Sequence, residues 1–562
     1  MYSNKENVNI LTALLVKHQV RRTVVCPGSR NAPIVHNLNE CPQIKCYPVT
    51  DERSAGFFAL GLALEEGTPQ PVAICVTSGT ALLNVLPAVA EAYYQHVPLI
   101  VISADRPPQW IDQLDGQTLP QPNALGRFVR KSVNLPETTD NESRWYVNRL
   151  VNEALLAMNH PYLAPVHINV PIAEPLFGFN TPCLPDERLI RICFPKGCTQ
   201  GVENSLVLAF QHARRPMIVI GQTHSDFVID DQCPEVMELL NQRAVVLTER
   251  LCSYSTETVH FDEVLAAIGD GNDYQPDLVI SLGGTLVSKR LKRFLRESQA
   301  EVIRLCEDGE PTDTFMHLTE VLVCQPEKAL AFLASHTEPS ADSAFLARWK
   351  QSLQVASEHA RDYHPHRFST LQAVKTLEER LAHALYIYKV HYANSTAVRL
   401  ANIFAQHPVW CNRGVNGIEG SLSTAVGMAA ETSEKVFCVI GDLSFFYDQN
   451  ALWNQNLGGN LRILLLNNGG GCIFRQLKGL EKSPARDYMV AGGHQTTADG
   501  ICRQSGTDYQ KATNAEELRR GIDWLLAPDG NRPRLLEVFT DADADSEELQ
   551  AYYSSLSLCS SN

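Results

Sequence analysis

The stretch Lys435–Asp448, KVFCVIGDLSFFYD, decides the interpretation of this 562-residue chain. Its apolar run Val436–Ile440 is typical of a buried β-strand, and the run ends at Gly441, which is followed at once by Asp442. A second apolar run, RILLL, ends in the sequence NNGGG at Asn467–Gly471. The residues between the two runs suffice for a crossover helix, which predicts a βαβ unit with parallel neighbouring strands.

Asp442 and Asn468, 26 positions apart, are then expected to lie side by side at the carboxyl edge of the sheet. A carboxylate, an amide oxygen and a carbonyl from the glycine run form an all-oxygen set that suits Mg²⁺. The glycines also allow the backbone to approach a diphosphate closely. The alternative is that Asp442 only caps the following helix and that NNGGG is an ordinary turn. Because both motifs end apolar strands at crossover spacing, we favour the metal site.

The rest of the chain repeats this alternation of short apolar runs and helical segments in three regions. The runs are RTVV, YPV, VAICV, PLIVIS and VHINV, then PMIVI, AVVLT, DLVIS and EVIRL, then HPVW, KVFCVIG, RILLL and RLLEVF. This pattern predicts an α/β protein with three doubly wound parallel-sheet domains. Polar intervals near residues 179–188 and 356–370 place the domains at 1–182, 183–362 and 363–562.

Composition limits the functional classes. The net charge of −15 argues against general binding of nucleic acid. No run approaches the roughly 18 apolar residues that span a bilayer, and the first residues predict an amphipathic helix, not a signal peptide. The 16 cysteines are scattered without a CxxC pair, which favours a reducing compartment. We therefore expect a cytoplasmic protein without an integral membrane segment.

The GD and NN motifs resemble the thiamine-diphosphate signature of the pyruvate-decarboxylase-like enzymes, although Leu443 stands where that signature usually has glycine. Enzymes of this family contain a pyrimidine-binding, a central and a diphosphate-binding domain, which match the three regions. The resemblance implies thiamine diphosphate as cofactor. It also implies that Asp442, Asn468 and the carbonyl of Gly470 hold Mg²⁺, or Mn²⁺, which accepts the same oxygens.

The same resemblance assigns Glu52, in YPVTDERSAG, as the catalytic carboxylate that hydrogen-bonds to the pyrimidine of the cofactor. The alternative is an acid that only stabilises the start of a helix. Active sites in this family lie between subunits, which implies a homodimer or a homotetramer. Further residues expected to contact the cofactor are Ser395, Ile418, Gly441, Ser444 and Ile473. For Ile418 the alternative is an isoleucine that anchors a loop.

Basic residues lie beside many of the predicted strand ends, and arginine suits carboxylates because its planar fork donates two bonds at once. The strings CPGSR, SADRPP, NRGVNGIEG, GDLSFFYD and NNGGGCIF closely resemble one branch of the family, in which GDL is expected. The resemblance to that branch implies decarboxylation of 2-oxoglutarate and 1,4-addition of the resulting carbanion to isochorismate, in menaquinone biosynthesis.

Two groups of residues are implied to bind these substrates. One group, on the far side of the cofactor, contains Lys289, Arg290, Arg399 and Arg413. The other, from the pyrimidine domain of the partner subunit, contains Ser29, Arg30, Arg106 and Gln117. Ile473, Phe474 and Leu477 are expected to form an apolar wall that excludes water, or alternatively to be ordinary core residues. Another thiamine-dependent lyase of 2-keto acids, such as an acetolactate synthase, and a non-catalytic diphosphate-binding scaffold remain the alternative functions.

Overall fold

The computed structural model describes residues 1–192, 200–224, 233–253, 257–269, 271–338, 342–477, 479–528 and 530–558. Alternate residues of its central strands face two different cores. Ile74 and Val76 lie in one apolar cluster, whereas Ala73 and Cys75, on the same strand, lie in another. Both faces of the sheet are therefore covered, as a doubly wound sheet requires.

The first sheet is parallel and has six strands. In chain order they are β1 (Arg22–Val25), β2 (Lys45–Pro48), β3 (Val72–Val76), β4 (Leu99–Asp105), β5 (Lys131–Asn134) and β6 (Val166–Pro171). Their spatial order is β2-β1-β3-β4-β6-β5. The helices of this region are α1 (Glu6–Lys17), α2 (Ala32–Glu40), α3 (Glu52–Leu64), α4 (Thr80–Asn84), α5 (Leu86–Gln95) and α6 (Asn141–Ala157).

The second sheet is also parallel. Its strands are β7 (Pro216–Ile220), β8 (Val245–Thr248), β9 (Leu278–Leu282), β10 (Glu301–Cys306) and β11 (Leu318–Val323), in the spatial order β11-β10-β9-β7-β8. The helices are α7 (Gln200–His212), α8 (Cys233–Arg243), α9 (Phe261–Ala267), α10 (Lys289–Glu297), α11 (Pro326–His336) and α12 (Ser343–Asp362). The polar interval predicted at residues 356–370 is thus helical as far as Asp362, because Ala356 and Ala360 are buried on α12.

The third sheet contains most of the stretch Lys435–Asp448 as a strand and the helix that follows it. Its strands are β12 (Tyr388–Tyr392), β13 (Lys435–Gly441), β14 (Leu461–Asn467), β15 (Asp508–Ala512) and β16 (Arg534–Phe539), in the spatial order β12-β13-β14-β16-β15. The helices are α13 (Thr370–Leu381), α14 (Thr396–Phe404), α15 (Ser421–Ala429), α16 (Asp442–Tyr447), α17 (Asp499–Ser505), α18 (Ala515–Leu526) and α19 (Ala542–Ser555). The expected fold class, three doubly wound parallel sheets, is confirmed.

The prediction of a strand at HPVW is wrong. Trp410 forms an isolated bridge with His391 instead of a strand. Pro408 has no N–H to donate, and the N–H of Val409 is bonded to the carbonyl of Arg250 at 2.8 Å. This segment therefore adds a single bridge to β12 and no strand, and Val409 joins it to the second region.

The first and third regions of the chain pack directly on each other through α3 and α15. A Cβ added to Gly61 would lie 2.0 Å from the carbonyl oxygen of Thr424, and one added to Gly427 would lie 2.1 Å from that of Phe58. Only glycine permits so close an approach of two backbones. At the start of α3, Asp51 accepts a hydrogen bond of 2.8 Å from Asn450 of the third region. No helix in the described part of the chain is long and apolar enough to cross a membrane.

Candidate active site

Asp442 begins α16 at the point where β13 ends, and β13 pairs with β14 in parallel. Its side chain is buried and reaches across to the end of β14. Its Oδ2 accepts the backbone N–H groups of Asn468 at 3.1 Å and Gly470 at 2.9 Å, and its Oδ1 accepts that of Leu443 at 2.6 Å. A carboxylate used only as a helix cap would not make the two bonds to the neighbouring strand end.

Burial raises the pKa of the Asp442 carboxyl group above its usual value. The N–H of Leu443, the charge of His494 and the N–H of Gly470 act in the opposite direction. A bound cation would also favour the ionised form, because it is the largest local charge in such a site.

The side chain of Asn468 is held by a bond from its Nδ2 to Oδ2 of Asp545 at 2.8 Å. This bond turns the amide oxygen away from Asp545. Gly470 has a φ of +151°, and a Cβ there would lie 2.8 Å from the carbonyl oxygen of Ala491. The carbonyl of Gly470 accepts one N–H, from Cys472 at 3.1 Å, which leaves its second lone pair available.

Asn468 and Gly470 border an open cavity of about 560 Å³, and buried Asp442 contacts the backbone of both residues without lining the cavity itself. Its lining includes Asn468, Gly469, Gly470, Gly471, Arg475 and His494. Oxygen ligands from one carboxylate, one amide and one carbonyl fit Mg²⁺, which leaves several positions for water or phosphate oxygens. No group of three or more His, Cys, Asp or Glu side chains that could hold a metal occurs among the described residues, so a cation here would depend on amide and carbonyl oxygens.

The remaining residues expected to contact the cofactor surround this edge. The hydroxyl of Ser444 donates to the carbonyl of Ile418, whose side chain is 39% exposed. Gly441 is the last residue of β13. Ser395 has a φ of +74°, which places it at a sharp turn before α14. Ile473 is half-buried in a 3₁₀ turn.

The expected apolar wall follows the glycine run. Phe474 belongs to the 3₁₀ turn Cys472–Gln476 and is half-buried, and it lies so close to Gly471 that a Cβ there would meet its ring at 2.6 Å. Leu477 is 46% exposed. Leu477 is therefore not a core residue within this chain.

Cations approach one another where the second and third regions meet. Arg413 is buried, and it donates to Oδ1 of Asn394 at 3.0 Å and to the carbonyl of Leu286 at 3.4 Å. Arg399 donates to the carbonyl of Ser395 at 2.7 Å. Arg413 thus connects the third region to the loop that precedes α10.

Burial lowers the pKa of Arg399, and the positive charge of Arg413 lowers it further. Lys289 is exposed at the start of α10. Arg290 forms an ion pair of 2.5 Å with Asp262. Arg290, Arg399 and Arg413 therefore lie at one junction, because the charge of Asp262 acts on both Arg290 and Arg399. Lys289 adjoins this junction only as the chain neighbour of Arg290.

The residues at the edge of the first sheet are bonded mainly to their own neighbours. Arg30 is buried and donates to the carbonyl of Ile172 at 2.9 Å and to Glu174 at 3.2 Å. Arg106 pairs with Asp115 at 2.8 Å. Ser29 and Gln117 are exposed, and Gln117 has a φ of +56°.

Glu52 stands at the first position of α3, where its Oε2 accepts a bond of 3.2 Å from Asn84. Within the described ranges, no hydrogen bond or ion pair joins Glu52 to Asp442, Asn468 or Gly470. One chain therefore brings the expected site residues together in three separate groups.

Several residues of the site were not predicted. They are Asp262, Asn394, His494, Asp545 and Tyr553. His494 lies 3.4 Å from Oδ2 of Asp442. Asp545 is 77 positions from its partner Asn468, and no local motif marks such a distant contact. The acidic segment DADAD is typical of a helix start, but nothing in it indicates a bond from Asn468.

Two family models match the chain. The N-terminal thiamine pyrophosphate binding domain matches residues 6–124, and the C-terminal thiamine pyrophosphate binding domain matches residues 394–538. A solved structure described as a putative thiamin diphosphate-dependent enzyme from Mycobacterium smegmatis superposes with a TM-score of 0.70 at 17% identity, over 96% of this chain and 100% of that one. This likeness shows the fold.

Curated relatives match over nearly the whole chain. The 2-succinyl-5-enolpyruvyl-6-hydroxy-3-cyclohexene-1-carboxylate synthase of Bacteroides thetaiotaomicron is 44% identical over 99% of this chain and 100% of its own length. The proteins of the same name from Desulfotalea psychrophila and Porphyromonas gingivalis are 37% and 35% identical, over 96% and 99% of this chain and 98% of their own lengths.

Proposed function

Since the chain belongs to the 2-succinyl-5-enolpyruvyl-6-hydroxy-3-cyclohexene-1-carboxylate synthase family, we propose that it is a thiamine-diphosphate-dependent transferase of menaquinone biosynthesis. It decarboxylates 2-oxoglutarate and joins the remaining four-carbon unit to isochorismate. The observation that carries the proposal is the contact of buried Asp442 with the backbone of Asn468 and Gly470, inside a matched thiamine pyrophosphate domain.

The proposed metal ligands are Asp442, the amide oxygen of Asn468 and the carbonyl of Gly470, with Mg²⁺ or Mn²⁺ as the ion. Bound thiamine diphosphate supplies a nucleophilic carbon that also accepts the electrons released with CO₂. Glu52 holds a hydrogen bond to the pyrimidine ring, which sets the protonation of that ring. Five further residues contact the cofactor in this proposal: Ser395, Ile418, Gly441, Ser444 and Ile473.

The proposed substrates carry two carboxylates each, which explains why cations are concentrated at the site. Lys289, Arg290, Arg399 and Arg413 bind them from the second and third regions. Ile473, Phe474 and Leu477 exclude water from the reacting atoms.

We propose a homo-oligomer, a dimer or a tetramer, in which the first region of one subunit completes the site of another. Ser29, Arg30, Arg106, Gln117 and Glu52 then enter the site from the neighbouring subunit. This arrangement is supported by the absence, among the described residues, of any hydrogen bond or ion pair between Glu52 and Asp442 of one chain. Domain limits of 1–182, 183–362 and 363–562 and a cytoplasmic location belong to the same proposal.

The test is to mix the protein with thiamine diphosphate, Mg²⁺, 2-oxoglutarate and isochorismate and to identify the product by mass spectrometry. CO₂ release from 2-oxoglutarate is compared with release from pyruvate. We expect the addition product and a strong preference for 2-oxoglutarate. Preference for pyruvate would instead identify an acetolactate-synthase-like lyase, and cofactor binding without turnover would identify a scaffold.

A further inference from the structure

The C-terminal helix α19 contacts one of the proposed substrate-binding cations. The guanidinium carbon of Arg290 lies 4.3 Å from the ring centre of Tyr553. The hydroxyl of Tyr553 donates to Oδ2 of Asp262 at 3.0 Å, and the same oxygen accepts Nη1 of Arg290 at 2.5 Å. We call these three side chains the Arg290 clamp. Each member of the clamp contacts the other two.

The clamp restrains Arg290 without burying it. An arginine has five N–H donors in a planar fork, and the side chain of Arg290 remains 38% exposed. The carboxylate of Asp262 accepts from Nη1. The rest of the guanidinium fork therefore stays available to a carboxylate from solution, while the tyrosine ring supports one of its faces.

The turn before Arg290 is also held in place. The hydroxyl of Ser288 donates to Oδ1 of Asp262 and accepts the N–H of Leu291 at 3.0 Å, which caps α10. The buried carboxylate of Glu249 accepts the N–H groups of Val287 at 2.7 Å and Ser288 at 2.8 Å. Because the backbone is fixed by these bonds, the orientation of the Arg290 head group depends on Asp262 and Tyr553.

Burial, together with the charges of Asp262 and Glu263, raises the pKa of the Tyr553 hydroxyl well above its usual value. The hydroxyl therefore keeps its proton at neutral pH and acts as a donor to Asp262. If it were ionised it would repel that carboxylate. The hydrogen bond thus persists over the pH range in which the protein would work.

We propose that Tyr553, acting with Asp262, is a positioning residue that orients Arg290 toward the second carboxylate of the donor substrate. This inference rests on the proposed function, and it assigns to the C-terminal helix a part in the choice between 2-oxoglutarate and donors with one carboxylate. Tyr553 itself touches no reacting atom. Its effect is transmitted through Arg290, because a bidentate bond requires the fork to face the carboxylate.

The experiment compares Tyr553→Phe and Tyr553→Leu with Tyr552→Phe as the matched control. Tyr552 is the adjacent residue, and its hydroxyl donates to Glu263 at 3.0 Å, next to Asp262. We expect Tyr553→Leu to raise the KM for 2-oxoglutarate about tenfold with kcat within about twofold, and Tyr553→Phe to have a smaller effect of the same kind. The KM for pyruvate, and both constants in Tyr552→Phe, should not change.

A double-mutant cycle tests whether the effect passes through Arg290. In the Arg290→Ala background, Tyr553→Leu should cause no further rise in KM. An equal rise in both backgrounds, or an equal rise with both donors, would overturn the proposal. So would a fall in kcat without a change in KM.

Binding of glutarate to the protein loaded with thiamine diphosphate and Mg²⁺, measured by calorimetry, provides a readout independent of turnover. Weaker binding in Tyr553→Leu supports the clamp, and unchanged binding overturns it. Absence of CO₂ release from 2-oxoglutarate in the unmodified protein would instead refute the proposed function. Thermal melting of each variant identifies any loss that is due to unfolding.

Discussion

The carboxyl edges of the third and first sheets carry polar residues in similar places but hold them differently. At the third-sheet edge, Asp442 is bonded to backbone N–H groups and Asn468 is bonded to Asp545. At the first-sheet edge, Arg30 pairs with Glu174 and Arg106 with Asp115. A buried carboxylate needs fixed donors because its desolvation is costly, whereas partly exposed ion pairs contribute little and can be exchanged. The third-sheet edge is therefore rigidly bonded, as the proposed cation site requires, whereas the cations of the first-sheet edge are paired with acids of their own region.

The largest effect is expected from Glu52, which belongs to the first region and which we propose to contact the cofactor. Glu52→Gln should lower kcat about 1000-fold, because the amide cannot drive proton transfer on the pyrimidine ring. Thiamine diphosphate affinity, measured by calorimetry, should change by less than about threefold. Glu66→Gln, near the other end of α3, is the control. An unchanged kcat in Glu52→Gln would remove Glu52 from the mechanism.

The next effect concerns the third-sheet edge itself. Asp442→Asn should weaken Mg²⁺-dependent binding of thiamine diphosphate about 100-fold, because the amide lacks the negative charge that a divalent ion needs. Titration calorimetry measures the affinity of each protein for thiamine diphosphate, first in the presence of Mg²⁺ and then with EDTA. Asp499→Asn, at a half-buried acid at the start of α17 that pairs with Arg503, serves as control. If binding in Asp442→Asn retains its full dependence on Mg²⁺, the metal lies elsewhere.

A third prediction concerns Asp448, which lies near Asp51 of the first region. Burial raises the pKa of Asp448 to about 7, while the N–H and hydroxyl of Ser423 lower it. The folded protein therefore holds a proton that the unfolded chain releases near pH 4, and ionising Asp448 destabilises the fold as the pH rises through 7.

From about pH 6 to about pH 8, this group should lower the free energy of unfolding by about 1 kcal/mol. Asp448→Asn should remove that part of the pH dependence, as measured by urea unfolding at several pH values. The difference between the two proteins cancels the contribution of every other titrating group. If the free energy of unfolding depended on pH equally in both proteins, the raised pKa of Asp448 would be contradicted.

The smallest effect is expected at the first-sheet edge. Arg106→Gln should raise the KM for one substrate by about two- to tenfold, because one charged hydrogen bond is lost. The free energy of unfolding should change by less than about 1 kcal/mol, since the ion pair with Asp115 is partly exposed. Arg127→Gln, an exposed arginine of the same region, is the control. An unchanged KM for both substrates would exclude Arg106 from the site. Weaker binding of thiamine diphosphate would mean that Arg106 acts on the cofactor as well, and not on a substrate alone.

The sequence predicts the interior of each sheet better than its margins. The strands that it does not predict are KSVN, LTEVLV, YKVHY and DYQKA, which form β5, β11, β12 and β15. All four lie at the edge of a sheet. An edge strand is partly exposed and alternates polar with apolar residues, so it lacks the continuous apolar run of a strand buried on both faces.

By itself, the sequence determined the central strands and the proximity of Asp442 to Asn468, because continuous apolar runs at crossover spacing become parallel neighbours. Only the tertiary structure decided which partner each charged group takes. Arg290 meets Asp262, 28 positions away, and Asp262 meets Tyr553, 291 positions away. Such contacts leave no periodic pattern in the chain, because they depend on how helices from different regions pack together.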